Sequence, residues 1–140
     1  MKPRHLLLGA ASLVVAAGGL TAVTAAPSAR AAPPTVRLQA SDFHFCSASA
    51  PACKPTDSAT VTRVKVGTRV IWTYTDYACD VVVPCPGHNV VFANGRGERR
   101  LVKSDGARIY SGVFTRPGRF RYICTAHASY GMTGTIVVKR

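Results

Sequence analysis

The sequence predicts an all-β protein, a sandwich of about seven to eight strands. Beyond its N-terminal segment no stretch repeats apolar residues with a helical period. Short alternating or apolar runs recur instead, bounded by Gly, Pro, Asn or Asp. The 140 residues, less a leader over 1–31, leave about 109 for the domain, 32–140, a size suited to one small sandwich.

The N-terminus reads as a secretory signal peptide. Lys2 and Arg4 precede an apolar run over residues 6–17, and Ala29-Arg30-Ala31 is an A-x-A cleavage signature, with a second near Thr24-Ala25-Ala26. The competing reading is a retained membrane anchor; Gly9, Gly18 and Gly19 interrupt the run and weigh against it. With no cysteine beside the cleavage signature and no Arg-Arg pair ahead of the apolar run, the expectation is secretion by the general route, without a lipid anchor or stable membrane insertion.

The strands follow in order. Residues 35–38 read as a short edge strand after a Pro/Ala linker. In Phe43-His44-Phe45 alternation sends both rings one way and His44 the other, making His44 a surface or satisfied histidine rather than a metal ligand. Residues 46–58, rich in Ser, Ala, Pro and Cys, form a surface loop. Residues 60–66 and 68–74 are strands around Gly67; Val64 and Val66 face inward, Arg63 and Lys65 outward, and Val70, Trp72 and Tyr74 line one face. A loop over 75–87 is followed by a strand over 88–92, a basic loop over 93–104 and a further strand over 108–114. After the turn Arg116-Pro117-Gly118-Arg119, residues 119–124 alternate, with Phe120, Tyr122 and Cys124 inward, and 133–139 closes the sheet.

The chemistry concentrates in Y-I-C-T-A-H-A-S-Y-G-M-T-G-T-I-V-V. Cys124, His127 and Met132 stand in a C-x2-H-x4-M spacing. Thiolate and thioether are soft ligands that favour copper, and imidazole suits copper as well as other metals. One Cys, two His and a weak axial Met describe an electron-transfer copper site, so the motif asks for a second histidine. His88, at the mouth of the apolar strand G-H-N-V-V-F, fits better than His44. Taken singly, a buried Cys or Met is usually packing; the combination is what points to metal.

These two motifs, with the V-x-V-G-x-x-V-x-W run before them, resemble the plastocyanin/pseudoazurin group of cupredoxins. The resemblance covers roughly residues 35–140. It implies a Greek-key β-sandwich with one type 1 copper ion, cycling between Cu(I) and Cu(II), on His88, Cys124, His127 and Met132. It further implies that Asn89 hydrogen-bonds to the loop bearing Cys124, and that an exposed edge of His127 passes electrons. The loop 75–87, with its apolar run and two cysteines, departs from the family's short turn.

Four other cysteines fall into two close pairs, 46/53 and 79/85. Secretion permits disulfides, and four cysteines allow three connectivities. Local pairing is expected because each pair bounds one loop; a second metal site of Cys79, Cys85 and His44 is the competing reading.

The net charge is +12; without Lys2, Arg4 and Arg30 it is +9. Such charge serves solubility or speeds association with acidic partners, and does not by itself indicate nucleic acid. The expected function is a secreted, monomeric one-electron carrier between redox partner proteins with acidic docking surfaces. The alternative is an extracytoplasmic copper carrier or buffer that delivers the metal to another protein. Copper enzymes need further histidine-rich sites, and only His44 remains outside the set once the leader is removed, so no enzymatic activity is expected.

Overall fold

A computed structural model describes residues 31–50, 53–54, 59–75 and 86–140. The leader 1–31, but for Ala31, the Cys79/Cys85 pair and most of the 75–87 loop lie outside the described residues. Among the described residues nine strands form two sheets: β1 (Thr35–Ser41), β2 (His44–Ser47), β3 (Ala59–Lys65), β4 (Arg69–Tyr74), β5 (His88–Phe92), β6 (Gly97–Val102), β7 (Arg108–Val113), β8 (Gly118–Ile123) and β9 (Thr133–Lys139). One sheet runs β2-β1-β4-β7 and the other β3-β9-β8-β5-β6. The chain crosses between them after β2, β3, β4, β6 and β7, so the fold is a β-sandwich of the expected class.

The core follows from alternation. Val70, Trp72 and Tyr74 of β4 are all buried, as the pattern requires. They meet Val90, Phe92, Tyr122, Ile136 and Val138 from the opposite sheet in one continuous cluster. Trp72 lies edge-on to Tyr122 at 5.1 Å and to Phe92 at 5.9 Å. These offset arrangements suit the ring quadrupoles and place the lone Trp in the core.

Four local expectations need correction. β1 extends to Ser41 and is not an edge strand: it pairs antiparallel with β2 and parallel with β4. Val66 is 39% exposed because β3 ends at Lys65 and the chain turns through Gly67, breaking the inward alternation. Phe43 does not share a face with Phe45. It sits in the β1–β2 turn beside Asp42, which has φ +50°, and is exposed while Phe45 is fully buried. The stretch 93–104 is not wholly a loop, since β6 occupies Gly97–Val102 and pairs with β5.

Cys46 and Cys53 form a disulfide, with Cα atoms 5.4 Å apart. Closing so short a loop contributes about 2–3 kcal/mol through the entropy of the unfolded chain. The bond ties β2 to the segment after it. Gln39 of β1 reinforces that corner by donating to the Ala50 carbonyl at 3.0 Å.

Candidate metal centre

Three strand ends meet at one edge of the sandwich. β5 begins at His88, β8 ends at Ile123 just before Cys124, and β9 begins at Thr133 just after Met132. β8 and β9 pair in register from Gly118↔Val138 to Ile123↔Thr133, so Cys124 and Met132 leave the sheet side by side. The Cys124 N–H donates to the Met132 carbonyl at 3.1 Å, and the Met132 N–H donates to the His127 carbonyl at 3.2 Å. The His127 N–H in turn donates to the Cys124 carbonyl. One 3-10 turn, Ala128–Tyr130, fills the loop, and Gly131 at φ +84° reverses the chain into Met132. A side chain at that left-handed position would be strained, which accounts for glycine there.

This loop brings His88, Cys124 and His127 together, all three buried. Cys124 Sγ lies 3.7 Å from His88 Nδ1 and 3.6 Å from His127 Nδ1, and the two nitrogens are 3.2 Å apart. Metal–nitrogen bonds of about 2.0 Å and metal–sulfur bonds of about 2.3 Å put ligand atoms roughly 3.2–3.8 Å apart at trigonal to tetrahedral angles. The observed triangle therefore has the dimensions of a metal-binding set. Burial, and secondarily the charge of His127, lowers the His88 pKa to about 4. The imidazole stays neutral at ordinary pH, the form that can donate a lone pair to a metal. Met132 is fully buried beside Cys124 in the core cluster. His44 is not part of this group; it lies on β2 with its ring half-buried.

Asn89 clamps the site from below, as the resemblance implied. Its Oδ1 accepts from the Thr125 N–H at 2.8 Å, while its Nδ2 donates to Thr125 Oγ1 at 2.7 Å and to the Arg99 carbonyl at 2.8 Å. The clamp joins β5 to the loop just after Cys124. Replacing Asn89 with Leu strands these backbone partners in a buried place and is expected to cost about 2–3 kcal/mol. Urea unfolding of the metal-free protein reads this directly, and an unchanged midpoint would count against the clamp.

His127 is 5% exposed, so the expected open edge is largely covered. Phe43 stands edge-on to its ring at 5.1 Å, and Tyr130 lies 6.4 Å away. Phe43 and Tyr130 pack on each other at 4.9 Å and remain exposed, at 43% and 66%. Tyr130 belongs to the sequence motif. Phe43 does not, and no local sequence pattern places it beside His127.

A β-sandwich with a buried Cys-His-His group where two paired strands end defines a small copper-protein architecture. The chain belongs to the plastocyanin/azurin family of copper-binding proteins, whose family model matches residues 57–139. The family's cofactor is copper, in accord with the soft donor set at the site. Amicyanin-alpha from Methylorubrum extorquens is 38% identical over 80 residues, covering 55% of this chain and 59% of that protein. The chain thus matches little more than half the length of that relative. Among solved structures, the amicyanin of Paracoccus versutus is similar at 20% identity and a TM-score of 0.49, over 80% of this chain and 86% of that one. The oxidised plastocyanin of Dryopteris crassirhizoma is similar at 22% identity and a TM-score of 0.48, over 74% and 99%.

Proposed function

We propose that the chain is a one-electron carrier that holds a single type 1 copper on His88, Cys124, His127 and Met132. The observation that carries this reading is the buried triangle of two imidazole nitrogens and one thiol sulfur, 3.2 to 3.7 Å on a side. Bound copper supplies the redox step by alternating between Cu(I) and Cu(II). The protein's own part is to hold the donors in one arrangement through both states. The backbone bonds linking Cys124, His127 and Met132, with the Asn89 clamp, do this. A carrier needs little reorganisation, and a loop fixed at both ends to a sheet allows little.

Electrons reach partners through the His127 side, where Phe43 and Tyr130 form a small aromatic surface. The net charge of +9 that remains without Lys2, Arg4 and Arg30 favours encounter with partners of acidic surface. The leader 1–31 is removed on secretion, and the domain 32–140 works outside the cytoplasm as a monomer. Among the described residues no helix is long and apolar enough to cross a membrane.

The test is visible absorption and paramagnetic resonance of the oxidised, copper-loaded protein. An intense band in the red with narrow parallel hyperfine splitting supports the reading; weak absorption with ordinary tetragonal spectra overturns it. Met132→Gln is expected to keep the copper and lower the reduction potential, because a harder oxygen donor in place of the thioether favours Cu(II). Voltammetry of the variant checks the direction, and a raised potential would remove Met132 from the set.

A further inference from the structure

The end of β8 away from Cys124 carries a second feature, separate from the metal centre. A groove of about 500 Å³ opens between the β5–β6 hairpin and the β7–β8 connection. Phe120, partly buried, forms its floor and packs on the buried Phe114, with ring centroids 5.2 Å apart. Arg96 stands on one wall and Arg116 on the other. A smaller neighbouring hollow of about 110 Å³ is flanked by Arg119 and Arg121. Phe120 lies four residues before Cys124, about 13 Å along an extended strand. The groove is therefore not part of the copper site.

Its walls are held in place. The Phe92 N–H donates to the Arg96 carbonyl at 2.9 Å, and the Arg96 N–H donates to Asn94 Oδ1 at 3.1 Å, closing the hairpin that presents Arg96. Pro117 stiffens the opposite connection. The four guanidiniums are exposed, and among the described residues no carboxylate pairs with them. Glu98, the acidic residue nearest Arg96 in sequence, accepts instead from the Arg100 N–H at 2.8 Å.

We propose that this groove docks an acidic segment of a partner polypeptide, with an apolar side chain of that segment seated on Phe120. Charge complementarity selects the partner: guanidiniums bind carboxylates in bidentate pairs. Base stacking needs an open ring face, and Phe114 is 4% exposed while Phe120 is partly buried, so the groove suits a single peptide side chain better than stacked bases. The consequence is a protein held by one end while its metal end stays free. The proposal does not depend on the copper assignment.

The test uses the full copper-loaded protein and a fluorescently labelled peptide of glutamate and aspartate with one central phenylalanine, read by anisotropy. Binding is expected to weaken at least about tenfold in Arg96→Glu/Arg116→Glu, and to fall with added salt. Both positions are exposed, so the variant should fold, and its copper absorption should match the parent's. Replacing the central phenylalanine of the peptide with serine should also weaken binding. Three results overturn the proposal: affinity unchanged by the charge reversal, tighter binding of a labelled oligonucleotide of equal charge, or full competition by free glutamate. Loss of binding on Phe43→Ser with the arginines intact would move the contact to the metal end and equally refute it.

Discussion

Cys124→Ser is expected to abolish the intense red absorption of the copper-loaded protein while leaving the sandwich folded. The sulfur sits between two imidazole nitrogens at 3.6 and 3.7 Å, the only thiol among the described residues outside a disulfide. A thiolate is soft and polarisable, and an intense visible band requires charge transfer from it; a serine oxygen supplies neither property. The substitution is close to isosteric and the buried hydroxyl still faces the His88 and His127 nitrogens, so the structural penalty is about 1 kcal/mol. Circular dichroism separates the two effects, since the β signal should persist where the colour is lost. Retention of the colour would remove Cys124 from the metal and with it the electron-carrier reading.

What the sequence disclosed of this site, and what it withheld, follows from the range of the contacts involved. Cys124, His127 and Met132 lie in one loop, so their spacing alone brings them near one another. His88 was found because it opens a strand whose apolar run marks it as interior, and that strand pairs with β8. Phe43 was missed because its contact with His127 spans both sheets and depends on a turn at Asp42, whose left-handed backbone breaks the alternation. G-E-R-R-L-V has no apolar period, so the sequence suggests a loop where β6 forms. It is an edge strand bonded only to β5, with four of its six residues partly buried and Arg99 and Arg100 exposed, and such a strand needs no buried face. The interior place of β1 is set by its pairing with β4, a register that no local pattern encodes.

Gly134→Ala is expected to destabilise the protein by about 2 kcal/mol or more, although it adds a single methyl group. Gly134 pairs directly with Tyr122 across β8 and β9. A Cβ there would overlap Tyr122 Cζ and OH and lie 2.8 Å from Cε1. The ring cannot retreat: it is buried against Phe45 at 4.9 Å, Trp72 at 5.1 Å and Phe92 at 5.5 Å. Two effects oppose each other. Replacing glycine stiffens the unfolded chain and favours folding by about 0.4–1 kcal/mol where the backbone allows it. Overpacking a close-fitted core costs about 1–3 kcal/mol, and here the obstacle is a ring wedged on three sides, so the cost falls at the upper end or beyond. The clash dominates. A double-mutant cycle with Tyr122→Leu isolates it, because the shorter side chain leaves room for the methyl. In that background Gly134→Ala should be close to neutral in urea unfolding of the metal-free protein. An equal penalty in both backgrounds would show that the glycine serves the backbone and not the ring. Tyr122 and Gly134 each lie two residues from Cys124 and Met132, so the variant should also weaken copper retention in competition with a chelator. The packing that fixes the aromatic core is thus the same packing that aligns the ends of β8 and β9 at the metal centre.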